Sequence, residues 1–172
     1  MKKIILSISI VSILLTSCGN DKKEKITKHQ PKTEQVKAVK INNKTVEKTN
    51  GITLKLASTD QLKYDKTELK VKAGQEVTLI LSHTGKMPKT AMGHNFVLLK
   101  KGTDIAKFAV EAIGASKNEY IPKSNAIIAY TKLIGGGEST TITFTAPAKG
   151  TYDFICSFPG HYSLMKGKFI VE

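Results

Sequence analysis

From residue 51 onward, apolar and polar residues alternate in short runs divided by turn residues. Ile52-Thr53-Leu54-Lys55-Leu56 alternates, Glu68-Leu69-Lys70-Val71 leads into Ala73-Gly74, and Glu76-Val77-Thr78-Leu79-Ile80-Leu81 follows. Further runs occupy Asn95–Leu99, Ala126–Thr131, Ser139–Phe144, Gly150–Cys156 and Lys168–Val171. Successive side chains of a strand point to opposite faces, so each run predicts a strand with one face toward a core. Seven or eight strands at this spacing predict an all-β fold, read here as an antiparallel sandwich. Only Asp104 to Tyr120 breaks the rhythm. There Ile105, Phe108, Ala109 and Ala112 fall at helical spacing, which predicts a short helix on a crossover that Pro122 ends.

The first fifty residues follow other rules. Lys2-Lys3, an apolar stretch from Ile4 to Leu15, and the ending Leu15-Thr16-Ser17-Cys18 form an export signal too short and too Ser-interrupted to span a membrane comfortably. That ending resembles the lipobox of bacterial lipoproteins, which implies cleavage before Cys18 and acylation of its thiol; an uncleaved anchor is the alternative. Residues 19–50 are rich in Lys, Thr, Asn, Glu and Gln and nearly free of bulky apolar side chains, the composition of a disordered tether. A flexible chain of that length spans roughly 30 Å. His29 falls in it and reads as a solvated side chain. The organisation expected is therefore a signal over 1–18, a tether over 19–50 and one domain over 51–172.

Composition supports one globular domain: 172 residues, 40% hydrophobic and 24% charged. The formal charge of +13 would admit nucleic acid, but all of it is Lys. Without Arg to make forked contacts, and with no basic helix, nucleic-acid binding is set aside. Gly135-Gly136-Gly137 is a turn and not a phosphate loop, since no Lys-Ser/Thr follows.

The candidate chemistry lies in Cys156-Ser157-Phe158-Pro159-Gly160-His161-Tyr162-Ser163-Leu164-Met165. Singly, a Cys or a Met is most often core packing. Together a thiolate, an imidazole and a thioether spaced Cys-x4-His-x3-Met, with a Pro-Gly turn between the first two, can converge on one soft metal ion, and Cu(I) and Cu(II) both fit. Trigonal His2Cys coordination with a weak axial Met marks an electron-transfer copper, so a second His is needed, and Gly93-His94-Asn95 supplies the candidate. Alternation places Tyr152, Phe154 and Cys156 on one face, which aims the sulfur inward where the strand ends. In an exported protein whose Cys18 carries lipid, Cys156 has no disulfide partner, and an unpaired thiol in an oxidising compartment needs a reason such as a metal.

Leu81-Ser82-His83-Thr84-Gly85, Met92-Gly93-His94-Asn95, Thr131-Lys132-Leu133-Ile134-Gly135 and Cys156 to Gly167, in this order across 51–172, resemble the azurin family of bacterial blue-copper proteins. The resemblance implies an eight-stranded Greek-key β-sandwich (cupredoxin-like) with copper held by His94, Cys156 and His161, and with Met165 and the backbone carbonyl of Gly93 as weak axial contacts. It implies that Asn95 pins the ligand loop, that His83 is a nearby non-ligand, and that Leu62 joins Met92, Phe158 and Pro159 in an apolar patch around His161. A satisfied core histidine is the other reading of His83. Two departures stand out. The disulfide usual in the first third is missing, and Phe96 stands where a Trp often follows the Gly-His-Asn motif.

These readings lead to an exported, monomeric, non-enzymatic one-electron carrier binding one copper ion and serving redox proteins of the cell envelope. Lipid on Cys18 would hold it at a membrane in the periplasm, and Gly19, which gives no inner-membrane retention signal, favours the outer membrane. A copper-binding or copper-delivery lipoprotein without redox turnover is the alternative, and a structural module with a lapsed site is a third reading.

Overall fold

The computed structural model describes residues 51–172. The expected signal, the tether, Cys18 and His29 lie outside the described residues. Among the described residues nine strands form two sheets: β1 (Ile52–Thr59), β2 (Lys63–Tyr64), β3 (Glu68–Val71), β4 (Glu76–His83), β5 (Val97–Leu99), β6 (Ile127–Tyr130), β7 (Ser139–Thr145), β8 (Gly150–Ile155) and β9 (Lys166–Val171). One sheet runs β2-β1-β4-β7 and the other β3-β9-β8-β5-β6. The eight longer strands are those the alternation predicts. The ninth, β2, is a two-residue pairing where the chain doubles back after β1 through Leu62, whose φ is 57°.

The antiparallel expectation needs correction. β1 pairs β4 in parallel and β3 pairs β9 in parallel, while the other pairs are antiparallel. Alternation fixes which side of a strand is buried and says nothing about the direction of its neighbour. In the first sheet β1, β4 and β7 pair level, so that Ile52 faces Val77 and Val77 faces Phe144. Inward residues of both sheets, Leu56, Leu79 and Leu81 against Leu98, Phe154 and Phe169, form the main core.

The crossover helix is present as α2 (Ile105–Ile113), downstream of a four-residue turn of helix, α1 (Lys89–Met92). Asp104 caps α2 by accepting the Lys107 amide at 3.0 Å, and Phe108, Ala109 and Ala112 turn inward. Phe108 joins Val97, Leu99, Ile121 and Ile155 in a second cluster on the outer face of the second sheet. β5 is therefore covered on both faces, which explains the unbroken Val97-Leu98-Leu99. α2 also packs beside the 3-10 turn His161–Ser163, whose Tyr162 leans on the second cluster. The ligand-bearing loop thus rests on the crossover.

Where β8 and β9 pair, Gly167 lies opposite Phe154, and a Cβ there would run into the Phe154 ring and within 2.6 Å of the Thr67 carbonyl. Gly167→Ala should destabilise the protein by about 1–3 kcal/mol through overpacking. Urea unfolding of the metal-free protein checks this; an unchanged midpoint would mean the sheet yields there at no cost.

Candidate metal centre

Two loops that are distant in sequence meet at one end of the sandwich. One runs from α1 into β5 and carries Gly93, His94 and Asn95. The other runs from β8 to β9 and carries Cys156, His161 and Met165. The second loop is closed on itself, with the Cys156 amide donating to the Met165 carbonyl at 2.9 Å and the Met165 amide to the His161 carbonyl at 2.8 Å. Gly160 supplies the left-handed turn, φ 80°, that brings His161 back toward Cys156. His94 is tied in by a two-way bridge to Ile134, amide to carbonyl at 2.9 and 2.8 Å.

The donor atoms of His94, Cys156 and His161 all lie within 4.8 Å of one another. Cys156 Sγ is 4.0 Å from His94 Nδ1, 3.6 Å from His161 Nδ1 and 3.8 Å from the Gly93 carbonyl oxygen. His94 and Cys156 are fully buried, His161 is 5% exposed, and Met165 is fully buried in the core cluster that includes Cys156. His94 Nε2 lies 3.0 Å from the Thr59 carbonyl. A nitrogen facing a carbonyl at that distance carries the proton, so Nδ1 keeps its lone pair toward the sulfur and toward a metal.

Electrostatics suit the same purpose. Burial, reinforced by the neighbouring imidazoles, lowers the pKa of His94 to about 4 and that of His161 to about 4. Both rings are therefore neutral ligands near pH 7. Burial pushes the Cys156 thiol up to about 12, although the Asn95 and Phe158 amides that point at the sulfur favour the thiolate. A metal cation supplies what the thiolate lacks in this pocket. One soft sulfur, two neutral imidazoles and a thioether beside them form a donor set that fits copper.

Around the donors runs a frame of hydrogen bonds. Asn95 Oδ1 accepts the Ser157 amide at 2.9 Å, and its Nδ2 donates to Ser157 Oγ at 2.9 Å. Ser157 Oγ donates to the Tyr120 carbonyl at 2.8 Å. Glu119 and Tyr120 take left-handed backbone, φ 53° and 63°, and Glu119 accepts the Leu133 amide at 3.0 Å while pairing with Lys89 at 3.3 Å. Tyr64, buried, donates its hydroxyl to the Asn95 carbonyl. Of these, only Asn95 is expected from the sequence. The others mostly bond to backbone groups of other loops, which any residue carries, so no motif announces them.

His83 is brought close but not into the donor group. Its ring lies 4.3 Å from that of His94, and its Nε2 is 3.1 Å from Asp60 Oδ1. Nε2 thus faces a carboxylate partner while Nδ1 makes no hydrogen bond, so the buried ring is satisfied on one side only. Asp60 itself is held below the usual carboxylate range, chiefly by the amide of Lys86 and also by that of Met87. Phe96, in the position of the missing Trp, is fully buried with its ring 5.2 Å from Phe154. Among the described residues Cys156 is the free cysteine, and no disulfide is present.

The family model described as copper binding proteins, plastocyanin/azurin family, matches residues 50–172. The chain belongs to this family. It is similar to the azurin of Pseudomonas chlororaphis, 40% identical over 121 residues that cover 67% of this chain and 94% of the azurin. It is also similar to outer membrane protein H.8 of Neisseria gonorrhoeae, 42% identical over 116 residues, covering 64% of this chain and 62% of that protein. Among solved structures, auracyanin A, a "blue" copper protein from Chloroflexus aurantiacus, superposes with a TM-score of 0.66 at 40% identity, covering 71% of this chain and 99% of the other. The fold is that of the cupredoxins, and the cofactor of this domain is a single copper ion.

Proton counting follows from these shifts. Near pH 7 the metal-free thiol is protonated and both imidazoles are not, so copper uptake should release one proton per ion, from Cys156, and none from the histidines. Calorimetric titration with copper in buffers of different ionisation enthalpy measures that number. Release of two or more would show that the imidazoles are protonated in the metal-free site.

Proposed function

We propose that this protein is a one-electron carrier, whose copper would be held by His94, Cys156 and His161, with Met165 and the Gly93 carbonyl as weaker contacts. The observation that carries the reading is the meeting of three donor atoms within 4.8 Å, already oriented and buried. Copper supplies a one-electron change between Cu(I) and Cu(II), both of which this mixed soft and borderline donor set accepts. The chain's part is to keep water out and to hold the ligands still. The Thr59 carbonyl fixes His94, the Asn95–Ser157 pair fixes the Cys156 loop, and packing of α2 against His161–Ser163 supports the other ring. His161 retains 5% exposure, so its edge is where an electron would leave toward a redox protein. A site this enclosed is ill suited to handing copper on. Catalysis is not supported either, because His83 sits against His94 and offers no open second site.

Cys156→Ser should abolish the intense visible absorption of the copper-loaded protein, while Met165→Leu should keep copper and colour and raise the reduction potential. Spectra and metal content of the two variants check this. Strong colour in the Ser variant, or loss of stoichiometric copper from the Leu variant, would contradict the ligand roles.

The carrier is further proposed to be exported and tethered through lipid on Cys18, with residues 1–18 as signal, 19–50 as tether and 51–172 as the copper domain. The sequence around Cys18 supports this, as does the similarity to a protein named for the outer membrane. One acyl chain gives only marginal membrane binding, whereas the several on a lipoprotein terminus anchor stably. Cys18→Ala protein should therefore move from the detergent-requiring fraction to the soluble envelope fraction. Retention in the membrane fraction would rule out lipid as the anchor.

A further inference from the structure

The loops around His161 carry an excess of positive charge. Five loop segments make up this end, and hydrogen bonds join them. Asp60 holds the Lys86 and Met87 amides at 2.8 and 3.2 Å. Gly136 donates to the Met87 carbonyl at 2.8 Å, Glu119 binds the Leu133 amide and Lys89, and Ser157 reaches the Tyr120 carbonyl. These segments carry six exposed lysines, Lys63, Lys86, Lys89, Lys117, Lys132 and Lys166, against three acids. All three acids are occupied within the loops: Asp60 and Glu119 as described, and Glu138 by the Gly135 amide at 2.8 Å. Only Lys89 of the six forms an ion pair. Over the rest of the domain ten lysines stand among seven acids, and three of them are paired, Lys66 with Asp65, Lys70 with Glu68 and Lys168 with Asp153. At the copper end lysines thus outnumber acids two to one, and each acid accepts an amide within the loops.

The same loops also carry uncharged apolar side chains. Leu62, Met92, Phe158 and Pro159 are partly buried, and the Phe158 ring is 4.6 Å from that of His161. Resting on the carrier reading, we infer that the copper end is a docking surface for an acidic face of a redox protein, with the lysines steering the encounter and the apolar patch making the close contact. Opposite potentials raise the encounter rate with little demand on contact area, which suits an interface that must release after each electron. An anionic bilayer would match the same charge. It would also cover the His161 edge and leave the electron no partner, so a protein is the occupant the geometry favours.

The test follows electron exchange of the copper-loaded full chain with two small redox complexes, anionic hexacyanoferrate and a cationic cobalt tris-phenanthroline, by stopped-flow absorbance at low and high salt. Lys63→Glu with Lys86→Glu alters the copper end. Lys72→Glu with Lys149→Glu makes the same change in charge at the opposite end, where β3 and β9 finish and β8 begins. At low salt the copper-end pair should slow hexacyanoferrate by at least about fivefold, speed the cobalt complex and flatten the salt dependence, whereas the far pair should change either rate by less than about twofold. Equal effects of the two pairs would mean that net charge alone acts, and would overturn the proposal. So would binding of the Cys18→Ala chain to phosphatidylglycerol vesicles that is lost only in the copper-end pair, since that assigns the face to lipid. A parent protein that exchanges electrons with neither complex removes the carrier reading, and this proposal with it; normal exchange without the asymmetry removes this proposal alone.

Discussion

Asn95 and Ser157 join the two halves of the metal centre. The pair spans 62 positions in sequence and makes two hydrogen bonds of 2.9 Å in a fully enclosed setting. On one side Asn95 follows His94 directly, and on the other Ser157 follows Cys156 directly. Any slip between the loops would therefore leave buried polar groups unpaired, at a cost of about 1–3 kcal/mol for each. The remaining contacts extend this latch outward, from Ser157 to Tyr120, from Glu119 to Leu133 and Lys89, and from Tyr64 to the Asn95 carbonyl. Two consecutive left-handed residues at 119 and 120 are tolerated because the loop they shape is held from both sides.

Burial does two things at this centre that oppose each other. It keeps the imidazoles neutral and ready to bind, and it disfavours the thiolate that copper requires. The amides of Asn95 and Phe158 offset part of the second effect, and the metal's charge must supply the rest. A pocket of this kind discriminates by chemistry: a soft cation that bonds strongly to sulfur repays the cost of deprotonation, and a hard one does not. The same enclosure limits solvent reorganisation when the charge changes.

Much of this was legible in the sequence because it depends on side-chain type. The inward alternation Tyr152, Phe154, Cys156 and the spacing Cys156, His161, Met165 mark the ligand loop, and the apolar positions of α2 mark the crossover. Strand direction was not legible: β1 with β4 and β3 with β9 run parallel, and the alternation that predicts a strand is the same in either direction. Nor was the role of Thr59, which holds His94 through a carbonyl, or of Glu119, whose value lies in a backbone amide on another loop. His83 shows the limit from the other side. Its closeness to the site follows from the resemblance, but its contact with Asp60 and an Nδ1 without a hydrogen bond emerge only in three dimensions.

The central claim is that the frame, and not the metal, positions the ligands, so that the copper can change charge without moving them. Crystal structures of the oxidised, reduced and metal-free protein, refined at comparable high resolution, test it most directly. The account predicts that His94, Cys156 and His161 superpose in all three within coordinate error and that both Asn95–Ser157 hydrogen bonds persist. A ligand loop that swings open in the metal-free protein, or a histidine that leaves the copper on reduction, would contradict it.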